Sequence, residues 1–508
     1  MEKCGMGPLG PLFTDLYELT MLAGYYACGK QDQPAVFEYF FRKLPQHTGF
    51  AVFAGLDDLL DDLQDFRFSE SDLEYIRSIG IFPKDFPDQV RNFRFAGDLW
   101  APPEGTPVFP YEPVVRVHAP LAQAQLLETL LLCRLNYQTL VATKAARVRF
   151  AAEDDPIMEF GLRRAQGPDG GMSGTRAAVI GGCDSTSNTL AGKCFGVPAV
   201  GTQAHSWIMS FPSELEAFRA YASVFADHLI LLVDTYDTLT SGVPNAITVF
   251  KELRAKGWKG RPGIRIDSGD LAKLSKAAYQ MLAEAGFEDT LIVASSELDE
   301  NLIAEIKRQG AKINVWGVGT KLMTGGLEPA LGGVYKLAAI QQDGVWEAKF
   351  KISDNPEKTT DPGIKMPIRF FDENGYIAGD VMFSQDDESW KEGEVISHDR
   401  MVFGQVYTFP SHYERRPLLR LVMRGGKRLE PRRKLTEIRA FAQEQVAHVP
   451  PETRRLVNPQ VYWVGLSEGL AKHKHEAIED FWKGRDERRT AIVRAGASPC
   501  ALRSEEHS

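Results

Sequence analysis

A histidine stands in the heptapeptide GTQAHSW, Gly201 to Trp207, just past a short apolar run and among small residues that leave its imidazole accessible. A neutral imidazole near pH 7 is a competent nucleophile or proton carrier, so His205 is a candidate for either task; the plainer alternative is a histidine that bonds a loop. In GIRIDSGD, Gly263 to Asp270, strand alternation points Arg265 and Asp267 the same way and sets a cation beside an anion. Ser268, Gly269 and Asp270 can then turn the chain into a helix whose free N–H groups attract phosphate, or simply cap it beside a strand-end ion pair. WGVGTK places Gly317 and Gly319 where backbone N–H groups can approach an anion, with the Thr320 hydroxyl alongside, although an ordinary tight turn has the same composition. EFGLRRAQG joins the flat face of Phe160 to two permanent cations, Arg163 and Arg164, whose planar forks suit carboxylate or phosphate. FTDLYELT puts Asp15 and Tyr17 at the start of a helix, where capping and packing would also explain them, and Asp184 in GGCDST is able to accept from an amide.

The elements that must position these groups have a regular plan from about residue 122. A long apolar helix (AQAQLLETLLLCRLNYQTLVATKAARV) is followed by seven strand candidates, each ending in a small polar cluster: MEFGLRRAQ, AVIGGCDST, PAVGTQAHS, ILLVDTYDT, PGIRIDSGD, LIVASSELDE and INVWGVGTK. Successive strand ends lie roughly 20 to 33 residues apart, room for a parallel strand and a returning helix, which predicts a (β/α) barrel or a large parallel sheet. In either architecture ligands gather where the carboxyl ends of the strands meet the loops, and that is where the polar clusters fall. Before this region, the spacing predicts a helix over 13–26 with Thr14 as cap; residues 10–120 mix strands and helices, and strand-like sequence returns over 345–425. A helical part follows, with a charged tail from Lys483 expected to be poorly ordered.

Composition limits the classes. A chain of 508 residues, 44% hydrophobic and 25% charged, with no apolar stretch near the ~20 residues a bilayer needs, reads as globular and not membrane-spanning. The formal charge of -9 argues against nucleic acid as partner, so an anionic ligand must meet a local cationic pocket. Six cysteines without a CxxC pair read as reduced thiols in a cytoplasmic chain, and no cysteine metal site is expected.

In this order, FTDLYELTM, EFGLRRAQG, GGCDSTSN, GTQAHSW, RIDSGD, GVGTK and LGGVYKL resemble the nicotinate phosphoribosyltransferase family over residues 10–470. The resemblance implies the fold of a type II phosphoribosyltransferase: an irregular α/β barrel over 123–344, an α/β sandwich from 10–122 with 345–430, a helical segment over 431–482, a tail over 483–508, and a homodimer with shared active sites. It implies transfer of phosphoribose from phosphoribosyl pyrophosphate to nicotinate, coupled to ATP hydrolysis, with Mg²⁺ on the pyrophosphate and Asp267 or Asp270 near the ribose or the metal's waters. His205 would be phosphorylated by ATP. Phe160 and Tyr17 would stack the pyridine, the latter across the dimer interface with Asp15. Arg163, Thr202, Arg265 and Asp184 would serve nicotinate or its surroundings, and Gly317, Gly319, Thr320, Lys358 and Lys365 the phosphates. Two alternatives remain at this stage: nicotinamide as substrate, for which Asp184 would accept from the amide, and a barrel lyase or hydrolase using His205 as general base.

Overall fold

The computed structural model describes residues 9–45, 48–402 and 404–494, with side chains to Lys483. Three large sheets and one two-stranded pair, Ala51–Val52 with Pro107–Val108, organise the described residues. The first has seven strands in the order Val345–Ala348, Gly333–Gln342, Pro34–Phe41, Val115–Pro120, Asp98–Ala101, Arg420–Arg424 and Lys427–Arg428, all neighbours antiparallel. Strand Pro34–Phe41 lies inside this sheet and is buried at every position but the first, which is why its sequence PAVFEYFF is apolar almost throughout.

The second sheet is the predicted parallel one. Its six strands run Ser185–Thr186, Ile157–Glu159, Val315–Val318, Leu291–Ser296, Gly263–Ile266 and Ile230–Leu232, every pairing parallel. Helices Gly167–Gly181, Val243–Ala255, Leu271–Glu284 and Glu300–Arg308 return the chain between strands and bury their apolar stripes against one continuous core. The seventh expected strand, PAVG, is reduced to a single bridge between Thr186 and Ala199, so the barrel is irregular and open on that side. AVIGG, expected as strand, is the last turn of helix Gly167–Gly181; the strand begins only at Ser185.

The third sheet departs from the expected division. Strands Lys365–Phe371, Ile377–Ser384, Val395–Asp399, Val406–Phe409 and Glu414–Pro417 do not complete the first sheet; with Val464–Ser467 they make a separate six-stranded sheet with its own core of Ile368, Phe370, Val381, Phe383, Val395 and Phe409. The long apolar helix is divided into Leu121–Gln125 and Glu128–Ala152. The first helix runs Leu16–Ala27 with Asp15, not Thr14, at the cap position. Helix Glu468–Arg494 carries into the expected tail, and 495–508 lie outside the described residues. Among the described residues, Cys28, Cys133 and Cys183 are free thiols.

One acidic run is structural. In helix Leu56–Leu63 (LDDLLDDL) the four aspartates are met by arginines: Asp57 and Asp58 by Arg176 at 3.3 and 3.9 Å, Asp58 and Asp61 by Arg432 at 2.6 and 2.9 Å, and Asp62 by Arg134 at 2.7 Å. Arg176, fully buried, also takes Glu104 at 2.6 Å, so this network ties the first sheet's helices to the barrel helix Gly167–Gly181. No described helix is long and apolar enough to cross a membrane.

Candidate active site

Because all six barrel strands point one way, their carboxyl ends deliver Phe160, Asp234, Asp267, Ser296, Gly319 and Thr320 to a single rim. A cavity of about 170 Å³ opens there, lined by Phe160, Arg163, Arg164, Arg265, Asp267, Ser295, Ser296, Glu297, Gly317, Gly319 and Thr320. Three arginines against two carboxylates make it cationic, within a chain of formal charge -9.

Arg265 is the hub. Its Nε donates to Ser295 Oγ at 2.7 Å, one terminal nitrogen to Thr202 Oγ1 at 3.1 Å and the other to Asp267 Oδ1 at 2.8 Å. The guanidinium also lies 5.7 Å from the centre of the Phe160 ring. Burial alone would raise the carboxyl of Asp267, but the hydrogen bonds from Arg265 and Ser295, followed by the Arg265 and His205 charges, hold it below the usual carboxylate range. Asp267 is therefore an anion here.

His205 opens the short helix His205–Met209, and its side chain is 39% exposed. Its Nδ1 pairs with Thr235 Oγ1 at 3.1 Å and its Nε2 lies 3.9 Å from Asp267 Oδ2. One nitrogen is thus fixed by a hydroxyl while the other faces the acid at the cavity wall. Asp234, next to Thr235, accepts from the Asp267 N–H at 2.9 Å and from Ser268 Oγ at 2.6 Å, so the two strand ends are tied together under the imidazole. Thr235 and Asp234 were passed over in the sequence, where DTYD marked only a strand end.

The glycines are required by space. A Cβ on Gly317 would sit 2.8 Å from the Phe160 ring, and one on Gly161 would sit 2.9 Å from the Gly319 carbonyl oxygen. Beneath this ring Glu159, fully buried, accepts from Thr186 Oγ1 at 2.6 Å, from Thr175 Oγ1 at 3.0 Å and from the Gly161 N–H, clamping the turn that carries Phe160. Thr320 Oγ1 donates to Glu297 at 3.1 Å, and Lys321 is held by Asp299 at 2.9 Å. Ser296 has φ 141°, a conformation costing about 1–3 kcal/mol for a residue with a side chain, at the wall of the cavity.

Several expected residues are elsewhere. Asp184 is held by Arg149 and Arg439 and accepts from the Ile157 N–H at 2.7 Å. Ile157 begins its strand, so Asp184 lies at the amino end of the sheet, away from the rim, and substrate binding by it is corrected. Asp270 caps helix Leu271–Glu284 by accepting from the Lys273 N–H at 2.9 Å, and it is not among the residues that line the cavity. Lys365 is not free to meet phosphate: its ammonium is buried on Glu38 at 2.8 Å and on the carbonyls of Asp361 and Gly363, each at 2.8 Å. Lys358 is exposed at the end of the 3-10 helix Pro356–Lys358 and, like Tyr17 and Asp15, does not line this chain's cavity. Tyr17 is 48% exposed on the first helix, its phenol pushed well up by burial and by Glu128 and Glu18. No cluster of three or more metal-ligating side chains occurs among the described residues.

Comparison with known proteins gives a consistent result. The N-terminal domain model of nicotinate phosphoribosyltransferase matches residues 12–136, the family model 156–386 and the C-terminal domain model 364–474. The nicotinate phosphoribosyltransferase of Bacillus subtilis is 44% identical over 475 residues, covering 92% of this chain and 95% of that relative. The human enzyme of the same name is 36% identical, covering 91% and 95%. The crystal structure of human nicotinic acid phosphoribosyltransferase superimposes with a TM-score of 0.79 at 33% identity, covering 91% of this chain and 99% of that one.

Proposed function

Because this chain belongs to the nicotinate phosphoribosyltransferase family, we propose that it makes nicotinate mononucleotide and pyrophosphate from nicotinate and phosphoribosyl pyrophosphate in NAD biosynthesis, with ATP hydrolysis coupled through phosphorylated His205. The observation that carries the reading is convergence: the imidazole, the Arg265 fork, the Phe160 ring and the Gly317–Gly319 turn, distant in sequence, meet at one cationic rim.

The chemistry asks for positioning and charge compensation more than for a strong base. The pyridine nitrogen attacks the anomeric carbon, the bond to pyrophosphate breaks, and the leaving group departs with both bonding electrons. Phe160 offers the face on which a pyridine stacks. Arg265, tied to Thr202 and Ser295, and Arg163 supply charge for the carboxylate, and the Gly317–Gly319–Thr320 turn supplies N–H and hydroxyl donors for phosphate. Asp267 lies where a ribose hydroxyl or metal-bound water would be accepted. Asp267 and Glu297 are the two carboxylates at the wall, too few for a protein cage, so Mg²⁺ would enter with the substrate, Asp267 would take its waters, and the ion would supply charge neutralisation for the leaving group. Phosphoryl transfer from ATP forms a P–N bond to His205 as the β–γ phosphoanhydride bond breaks and ADP leaves, and adds about two negative charges near the rim arginines; water then cleaves the P–N bond, releasing inorganic phosphate and restoring the imidazole. Formation of a homodimer brings the exposed Tyr17 and Asp15 of one protomer to the rim of its partner, and the enzyme works in the cytoplasm.

Acid is favoured over amide. The amide reading relied on Asp184, whose oxygens are engaged at the opposite end of the sheet. Steady-state turnover with nicotinate and with nicotinamide tests this: nicotinate is expected to be preferred by well over ten-fold in kcat/KM, and equal use of the amide would overturn it.

A further inference from the structure

A second cavity, of about 430 Å³, lies at the other end of the barrel. Helix Gly167–Gly181 ends in it before the chain enters strand Ser185–Thr186, and helix Glu128–Ala152 ends beside it before Ile157–Glu159, so it opens at the amino ends of the strands. Val52, Phe150, Ile180, Ala442 and Val446 give it an apolar wall, unlike the arginine-rich catalytic rim. Its volume falls in the range of small-molecule sites.

Two arginines line it and they differ. Arg149 is committed, donating to the carbonyls of Gly182, Glu153 and Asp155 and pairing with Asp184. Arg454 has no side-chain hydrogen bond or ion pair among the described residues, and its Nε is buried without a partner. A buried donor left unmet is costly, so this fork is set for an acceptor that the protein does not itself provide. Of the acids at the mouth, Glu153 is answered by Lys307 at 3.0 Å and Asp154 is exposed to solvent. The unanswered charge inside is therefore positive.

We propose that this cavity binds a small flat anion, an aromatic or fused-ring body carrying a carboxylate or sulfonate, with the ring on the apolar wall and the acid on Arg454. Two probes test it on the full-length enzyme: 1-anilinonaphthalene-8-sulfonate and its uncharged analogue N-phenyl-1-naphthylamine, followed by fluorescence. The anion is expected to bind saturably at one site per chain and to stay bound when phosphoribosyl pyrophosphate fills the catalytic rim. Arg454→Gln should weaken the anion about ten-fold or more and leave the neutral analogue unchanged. Ala447→Trp, or Gln443→Trp in its place, should exclude both probes by filling the cavity while turnover persists. Displacement by phosphoribosyl pyrophosphate, absence of saturable binding, or an Arg454→Gln variant that binds the anion as tightly as the parent would overturn the proposal.

Discussion

Replacing Arg265 by lysine keeps the charge and removes the fork. Three nitrogens of the guanidinium reach acceptors on three separate segments: Ser295 at 2.7 Å, Thr202 at 3.1 Å and Asp267 at 2.8 Å. An ammonium is a single point at the end of a flexible stem and can keep the Asp267 contact only by releasing the other two. At about 1–1.5 kcal/mol for each hydrogen bond lost, the arrangement around nicotinate weakens by about 2–3 kcal/mol, or about 30- to 150-fold in kcat/KM. The assay varies nicotinate at saturating phosphoribosyl pyrophosphate and ATP and follows mononucleotide formation, with thermal unfolding as control for the fold. Thr202→Val, which removes one acceptor, should lose about five-fold. A drop below about three-fold for Arg265→Lys, or a loss confined to the KM of phosphoribosyl pyrophosphate, would refute the place given to this fork.

Other substitutions test the frame. Gly317→Ala drives a methyl group to within 2.8 Å of the Phe160 ring, and the expected result is a raised KM for nicotinate from steady-state kinetics with the fold retained. Arg176→Met strips the buried Glu104 of its cation and leaves Asp57 and Asp58 with Arg428 and Arg432 alone; denaturant unfolding should show a loss of about 3–5 kcal/mol. Glu18, buried beside Gln125, has its carboxyl raised by burial from 4.5 to about 7. A raised acid favours the fold while protonated, so its contribution is full below pH 4.5 and fades as pH rises toward 7; Glu18→Gln should flatten melting temperature against pH across that window.

How much of this was legible depended on what short runs of sequence can specify. Arg265 and Asp267 on one side of a strand, Phe160 beside glycines and Thr320 after a turn follow from period two and parallel connection, and the structure brings them to one cavity. Asp184 shows how the same reasoning fails. AVIGG is short and apolar, and such a run has no period to separate strand from buried helix. Read as strand, it puts Asp184 at the carboxyl end; as the last turn of a helix, it puts Asp184 ahead of the strand and at the opposite face. Lys365 required a partner invisible locally, since Glu38 is 327 residues away. LDDLLDDL carried a helical period correctly, but the arginines that meet its aspartates come from four places between residues 134 and 432. The third sheet is hidden for a similar reason: its strands pair with one another, and its two halves are joined only through Val464–Ser467, roughly 65 to 80 residues further along the chain.

The most direct test concerns the imidazole. The protein is incubated with ATP labelled at the γ-phosphate, with and without phosphoribosyl pyrophosphate and nicotinate, and acid-labile, base-stable label on the chain is measured for the parent and for His205→Ala. The parent is expected to carry the label on His205 and to lose it during turnover, and His205→Ala to carry none and to show no stimulation of product formation by ATP. A variant that is labelled as fully as the parent, or is stimulated by ATP to the same degree, would contradict the account.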